Sequence, residues 1–200
     1  MSPRVSDSAA ALTREGILRA SVAQASREGL EAVTIGRLAQ RLDMSKAGVI
    51  GPFGSKVELQ LETFRTAMAL FTRDVWDPAS GAEPGLPRLK AICDSWIDHL
   101  SGDTFPGGCF LTQAAAEFDG RPGRVRTEIE DASRLWERVL AAEARTAVKD
   151  GDLPEGTDPA QIAFELDAIA QGTNQALQLR GEKEAADRGR RAMHRVLGLS

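Results

Sequence analysis

Apolar residues recur along this chain at helical spacing. Ile17, Leu18, Ser21, Val22 and Ala25 fall on one face of a segment from about Ala9 to Glu28, and Gly29 supplies its stop. Behind Thr34 as an N-cap, Ile35, Leu38, Ala39 and Leu42 recur at i, i+3, i+4 and i+7. Asp43-Met44 makes a turn, and Ser45 opens a short third helix, Ser45–Gly51, which Pro52 and Gly54 end. Ser55-Lys56-Val57-Glu58 is a capping box, with serine at the N-cap and glutamate three residues on, and it opens a fourth helix to about Trp76.

Asp77–Pro87 (DPASGAEPGLP) reads as the one loop of linker composition. Helical patterns resume at Arg88–Leu100, Cys109–Phe118, Val125–Val148, Pro159–Leu179 and Glu182–Leu197. The breaks between them, GDTFPGG, DGRPG, KDGDLPEGTD and RG, are turn chemistry. Asp158-Pro159 sets a cap before a proline at the first helical position. There is no strand pattern, repeat or low-complexity run. The pattern predicts an all-α fold of roughly nine helices, three short ones and then six mostly longer ones.

Composition supports this: 42% hydrophobic and 27% charged residues are ordinary for a globular protein, and tyrosine is absent. No apolar stretch approaches the roughly 18–20 residues that cross a bilayer. The N-terminal MSPRVSDSAAALTREG has no apolar core of signal-peptide length, so a cytoplasmic location is expected. Two cysteines, Cys93 and Cys109, make no disulfide framework and lack metal-ligand spacing. Net charge is −4, yet residues 1–65 hold nine Lys/Arg against seven Asp/Glu, a net of +2. A mildly basic head on an acidic body results. Catalysis finds no support: there is no Gly-rich phosphate loop, no HExxH, no nucleophile signature, and only two histidines. The acidic run Glu128-Ile129-Glu130-Asp131 has no dyad spacing, and neither an enzyme nor a cofactor is expected.

Ser45–Gly51 is too short to be stable alone, and two of its seven residues are glycine. Its neighbours must hold it, and its use is the surface it presents. A helix, a three-residue turn and a second short helix form the layout of a helix-turn-helix, whose second helix lies in a DNA major groove. The same layout also suits an ordinary pair of packed helices.

Thr34-Ile35-x-x-Leu38-Ala39, then Met44-Ser45-Lys46, then Phe53-Gly54-Ser55-Lys56-x-x-Leu59 resembles the DNA-binding head of the tetracycline-repressor (TetR) family of bacterial regulators. The resemblance spans about Leu12–Leu59. Pro106-Gly107-Gly108-Cys109, followed by an alanine-rich helix, is also similar to a segment of many members. The resemblance implies a helix-turn-helix head over residues 1–54 and a larger helical domain over 55–200 that binds an effector and dimerises. It implies a transcriptional repressor that binds a palindromic double-stranded operator as a homodimer and is released by a small molecule, with no membrane involved.

Position by position, the resemblance gives Thr34 a phosphate contact and makes Ser45, Lys46, Ala47 and Gly48 the leading edge of the recognition helix. Lys56 would hold a backbone phosphate at the positive end of helix four, with Arg37 and Gln40 as flanking contacts. Arg4, in the N-terminal arm, is a candidate for a minor groove. The chain departs from the family after the recognition serine. In place of the usual Leu-Tyr-x-His-Phe it has Val49-Ile50-Gly51-Pro52-Phe53. Lys46 is then the only long donor on the helix, and Ala47 and Ile50 are left to meet thymine methyls. The two glycines are expected to let the backbone approach DNA closely.

In the body, Trp96, His99, Phe105, Phe110, Gln113, Glu117 and Trp136 lie on the helices where the family builds its effector cavity, and Gln171, Asn174 and Gln175 add polar groups. Aromatics at this spacing also suit plain core packing. Cys109 joins the cavity set and has two readings, an oxidant-sensing thiol at a helix N-terminus or a small buried residue. The basic run RGRRAMHR (Arg188–Arg195) is expected to complement the last helix dipole in solvent. Ile162, Leu166, Ile169, Thr173 and Leu177 form a stripe for a dimer through the last two long helices or, equally by periodicity, for the subunit's own core, and Gly172 permits close approach. The alternative to the repressor is a helical ligand-binding or thiol-sensing dimer with weak or lost sequence-specific DNA binding.

Overall fold

The computed structural model describes the backbone of residues 3–199 and the side chains of residues 10–199, so the Arg4 side chain lies outside the described residues. The helices are α1 (Pro3–Glu28), α2 (Ile35–Leu42), α3 (Lys46–Ile50), α4 (Lys56–Phe71), α5 (Asp77–Ser80), α6 (Leu86–Ser101), α7 (Phe110–Phe118), α8 (Arg124–Asp150), α9 (Pro159–Arg180) and α10 (Ala185–Val196). Among the described residues there is no strand.

The predicted caps form. Thr34 Oγ1 accepts from Arg37 N (3.4 Å), Ser45 Oγ from Gly48 N (3.0 Å), Ser55 Oγ from Glu58 N (3.1 Å) and Asp158 Oδ1 from Ala160 N (2.9 Å). Each takes up an N–H that the first helical turn leaves without a partner. The return half of the capping box is replaced by a longer-range contact: Glu58 turns to Arg124 on α8. Asp43 closes α2 in the left-handed region (φ 52°), a conformation its short polar side chain tolerates.

Two elements differ from expectation. α1 begins at Pro3, a full turn and more before Ala9. The predicted linker is mostly helical: a π-helical turn, Thr72–Trp76, continues α4 and runs into α5, leaving only 81–85 between helices. Asp77 N–H reaches back five residues to Thr72 O, and Pro78 falls in the first turn of α5, where its missing N–H breaks no bond. The short loop is held by buried Glu143 on α8, which accepts from Gly85 N (2.8 Å) and pairs with Arg88 (3.1 Å).

The core has two regions. One joins α1–α4 to Phe105, to Phe110, Ala114 and Phe118 of α7, and to Val125 and Ile129 of α8, so the head shares its core with the body. The other fills the space between α6, α8, α9 and α10. The α9 stripe belongs to it: Ile162, Leu166 and Thr173 are buried and Ile169 and Leu177 are packed against it, so these residues face their own subunit. The outward face of α9 carries Phe164, Ala168, Gly172, Gln175 and Leu179 instead. The basic run at the chain end is only partly solvated. Arg190 pairs with Asp94 (2.8 Å) and Asp98 (2.6 Å) on α6, and His194 meets Asp94 at 2.9 Å, which ties α10 to α6.

Candidate nucleic-acid interface and ligand cavity

α3 is anchored from behind and open in front. Val49 is buried in the head core, as is Phe53 just beyond the helix, with the Arg14 guanidinium 5.3 Å over its ring. Ser45, Lys46 and Ala47 are exposed, and Gly48 and Ile50 are half-buried. Lys46 carries no ion pair among the described residues. Its stem lies along α2, with Cε 3.7 Å from where a Cβ on Gly36 would stand, so its charge sits by the first turn of α2 that Thr34 caps. The glycines of this stretch have local reasons. A Cβ on Gly48 would meet Ser45 Oγ at 3.2 Å, and one on Gly51 would stand 2.9 Å from the Ala47 carbonyl oxygen.

The flanking cations are not free. Arg37 is exposed but paired with Glu28, while Gln40 is exposed without a charge to offer. Lys56 Nζ donates to Glu31 Oε1 (2.6 Å) and to Glu31 O (3.2 Å), so a phosphate there would compete with Glu31 for the ammonium. Lys56 and then Gln60 (2.9 Å) hold the Glu31 carboxyl below its ordinary range.

Glu31 belongs to a brace that sequence reasoning missed. The Glu117 carboxylate, expected in the effector cavity, instead accepts from Leu30 N (2.7 Å) and Glu31 N (3.0 Å), pinning the α1–α2 turn to α7. Gln60 of α4 donates to Leu30 O (3.2 Å) on the same turn. The nearby glycine pair works alongside. Gly107 N donates to Ser26 Oγ (3.2 Å) on α1, and a Cβ on Gly107 would stand 1.6 Å from the Ser26 carbonyl oxygen. Gln113, another expected cavity residue, donates to Gly107 O, and Asn174 of α9 accepts from Cys109 N (2.9 Å). The segment 107–109 thus bridges α1 to α9. A signal was present in Gln60, a polar residue between two leucines on a helix face that turns out to be buried.

The remaining expected cavity residues divide. Trp96, His99, Phe105, Phe110 and Trp136 come together as an aromatic cluster, with Phe71 at its centre. Gln171 and Gln175 are exposed on the outer face of α9, where Gln171 bonds Asp167 (2.5 Å), so neither meets the cluster. Cys109 is buried, and burial pushes its thiol up, the reverse of an activated thiolate. Cys93 is likewise pushed up, to about 12.

His99 Nδ1 meets Asp74 Oδ2 at 3.2 Å, and Asp74 also accepts from Thr104 Oγ1 (2.7 Å). Burial alone would raise the Asp74 carboxyl, but hydrogen bonds from Arg73, Thr104 and His99 outweigh it and hold the group ionised. Burial pushes His99 below its ordinary value and the nearby Asp74 only partly offsets this, so the ring is neutral at neutral pH. A cavity of about 180 Å³ adjoins the cluster, lined by Met68, Phe71, Thr72, Trp76, Leu111, Ala132, Leu135, Trp136 and Val139 with no charged side chain. A larger groove of about 600 Å³ lies between α1, α4 and residues 103–106.

Residues 17–63 match the family described as bacterial regulatory proteins, tetR family, and residues 85–193 match the tetracyclin repressor-like C-terminal domain. Among curated proteins none matches. Among solved structures, a TetR transcriptional regulator from Chloroflexus aurantiacus is 17% identical over 94% of both chains, with a TM-score of 0.85. A TetR-family regulator from Cytophaga hutchinsonii is also 17% identical over 94% of both, at 0.81. AibR, solved with isovaleryl coenzyme A and operator DNA, is 19% identical over 89% of this chain and 96% of its own, at 0.71. At these identities the likeness is one of fold.

Proposed function

Because this chain belongs to the TetR family of bacterial regulatory proteins, we propose that it is a repressor, a homodimer that holds a palindromic operator through α3 and is released by a small molecule bound in the body. The carrying observation is the exposed edge of α3, where Ser45, Lys46 and Ala47 stand clear of the head core and Lys46 is unpaired beside the capped start of α2. Ammonium and helix N–H groups at one place suit a phosphate. Thr34, Ser45, Gly48 and Ile50 complete the face, with Arg37, Gln40 and Lys56 at its margins. The division at 54/55 separates this head from the effector and dimerisation domain. A structural neighbour captured with both an acyl coenzyme A and operator DNA supports the pairing of the two activities.

Dimerisation rests on the outward face of α9. Phe164 is 66% exposed and Leu179 75% exposed, and with Ala168, Gly172 and Gln175 between them they repeat at i, i+4, i+8, i+11 and i+15. Large apolar groups left in water on one helical stripe mark a contact surface. α10 flanks it, so the dimer forms through the last two long helices.

A mobility shift against DNA from upstream of the chain's own gene, competed by random duplex, tests the reading. A complex of two chains per duplex that survives random competitor supports it. Equal competition by random DNA favours the alternative, a ligand-binding dimer without sequence-specific DNA binding.

A further inference from the structure

Three polar nitrogens in the aromatic cluster are buried without a hydrogen-bond partner: Trp96 Nε1, His99 Nε2 and Trp136 Nε1. Buried donors and acceptors are rarely left so, because each forfeits the hydrogen bonds it had in water. All three belong to rings that meet Phe71 edge-on, with centroids at 6.2 Å for Trp96, 5.4 Å for His99 and 5.0 Å for Trp136. Phe71 and Trp136 also line the uncharged cavity of about 180 Å³, so Phe71 touches the cavity and all three orphaned rings. It is the last residue before the π-turn, a local irregularity of the kind that recurs at functional sites.

The chemistry of the three atoms is fixed. Asp74 is an ionised carboxylate and only accepts, so neutral His99 carries its proton on Nδ1 and leaves Nε2 as a bare acceptor. The indoles are donors only. The groups facing His99 are Asp74, with Thr104 on the same carboxylate oxygen and Arg73 on the other, and the apolar rings of Phe71 and Phe105. The lining offers no counter-ion for a charged ligand, and a volume of about 180 Å³ is enough for a benzene-sized molecule. A single aromatic hydroxyl answers two of the three: its O–H donates to His99 Nε2 and its oxygen accepts from one indole N–H.

We propose that this cavity is the mouth of the effector site, that Phe71 is its gate, and that the ligand is a small, uncharged aromatic alcohol of the phenol class whose hydroxyl pairs with His99 and an indole. This rests on the effector-controlled function above and names the chemistry of that site. Phe71 ends the helix whose first turn carries Lys56, so swinging its ring aside acts directly on the element that grips the α1–α2 turn of the head.

The chain supplies its own probe. Its three tryptophans, Trp76, Trp96 and Trp136, all lie at this site, and it has no tyrosine. Tryptophan fluorescence of the full chain is titrated with phenol, toluene and benzoate. The expected result is a saturable change with phenol, binding about tenfold weaker for toluene, and none for benzoate. His99→Phe should abolish the phenol advantage while keeping toluene binding, and His99→Gln, which retains an acceptor, should restore it. Trp136→Phe tests the donor independently of whether the His99 variants fold. Equal affinity for phenol and toluene, tight benzoate binding, or an unchanged ratio in both His99→Phe and Trp136→Phe would overturn the proposal, as would the absence of any saturable response. Operator release is followed in the same samples. Release by a long-chain acyl or cationic compound without a fluorescence change overturns this site and leaves the repressor standing. Phenol binding without release upholds the site and removes effector control.

Discussion

Single residues set the character of the head. Lys46 is the one long donor on α3 without an ion pair, whereas Lys56 spends its charge on Glu31 and Arg37 on Glu28. Glu31→Gln should therefore strengthen binding to random duplex and steepen its salt dependence by roughly one counterion, because it frees Lys56 for phosphate. Duplex titrations by anisotropy over a range of salt would read this directly. Asp43 is the sole non-glycine with positive φ among the described residues, and a β-branched side chain there is strained. Asp43→Val should cost about 1–2 kcal/mol in urea unfolding, and Asp43→Asn close to nothing. His99 gives a pH signature. Its folded form resists protonation, so as the pH falls below the ordinary value of 6.5 the unfolded chain takes up a proton that the folded chain refuses, and stability drops. Thermal unfolding between pH 7.5 and pH 5.5 should show this decline, reduced in His99→Phe.

Among the elements, α2, α3 and the start of α4 were legible to within a residue because caps and turn residues are local signals: Thr34, Ser45, Ser55 and, in the body, Asp158 all cap where their spacing says they should. The end of α4 was not legible. Asp-Pro-Ala-Ser-Gly reads as a break, and only a π-turn that absorbs Pro78 lets the helix continue, a choice made by the packing of Val75 and Ala79 rather than by composition. The α9 stripe was legible as an apolar face, but which of its two uses it serves was not. Its apolar residues face inward while Phe164 and Leu179 face outward, and periodicity marks an apolar face without saying what covers it. The cavity set was half legible. The aromatics gather in one cluster, but Glu117 is spent on the α1–α2 turn, a partner far away in sequence, and Gln113 on Gly107, six residues before it. Asp167 on α9 carries a carboxyl raised by burial and by Glu137, so its stabilising form is the protonated one and is lost as the pH rises through that raised value. Asp167→Asn should raise the midpoint of thermal unfolding at pH 7 and leave it unchanged at pH 3.

At the scale of the whole molecule, control of DNA binding needs a rigid path from body to head. The contacts of Glu117 with the α1–α2 turn, of Lys56 and Gln60 with the same turn, and of Gly107 with Ser26 form that path. Gly107→Ala cannot be housed without parting 107–109 from α1. It should cost about 1–3 kcal/mol or more in stability, as overpacking does, and loosen the coupling of effector to operator. The dimer is tested at Phe164, whose ring contributes to no core of its own subunit. Phe164→Glu should yield a folded monomer in sedimentation and a large loss of operator affinity, since two heads then bind independently.

The central claim is that α3 reads DNA with Lys46 as its only unpaired long donor, and operator affinity measured across a salt series for the wild type and Lys46→Ala tests it most directly. Lys46→Ala should lose about 1–3 kcal/mol per half-site on the operator where the ammonium reads a guanine. Where it holds a phosphate, the slope of log affinity against log salt should become shallower by roughly one counterion per site. A variant that matches the wild type in both affinity and slope would contradict the account, because the head would then not be meeting DNA through α3 at all.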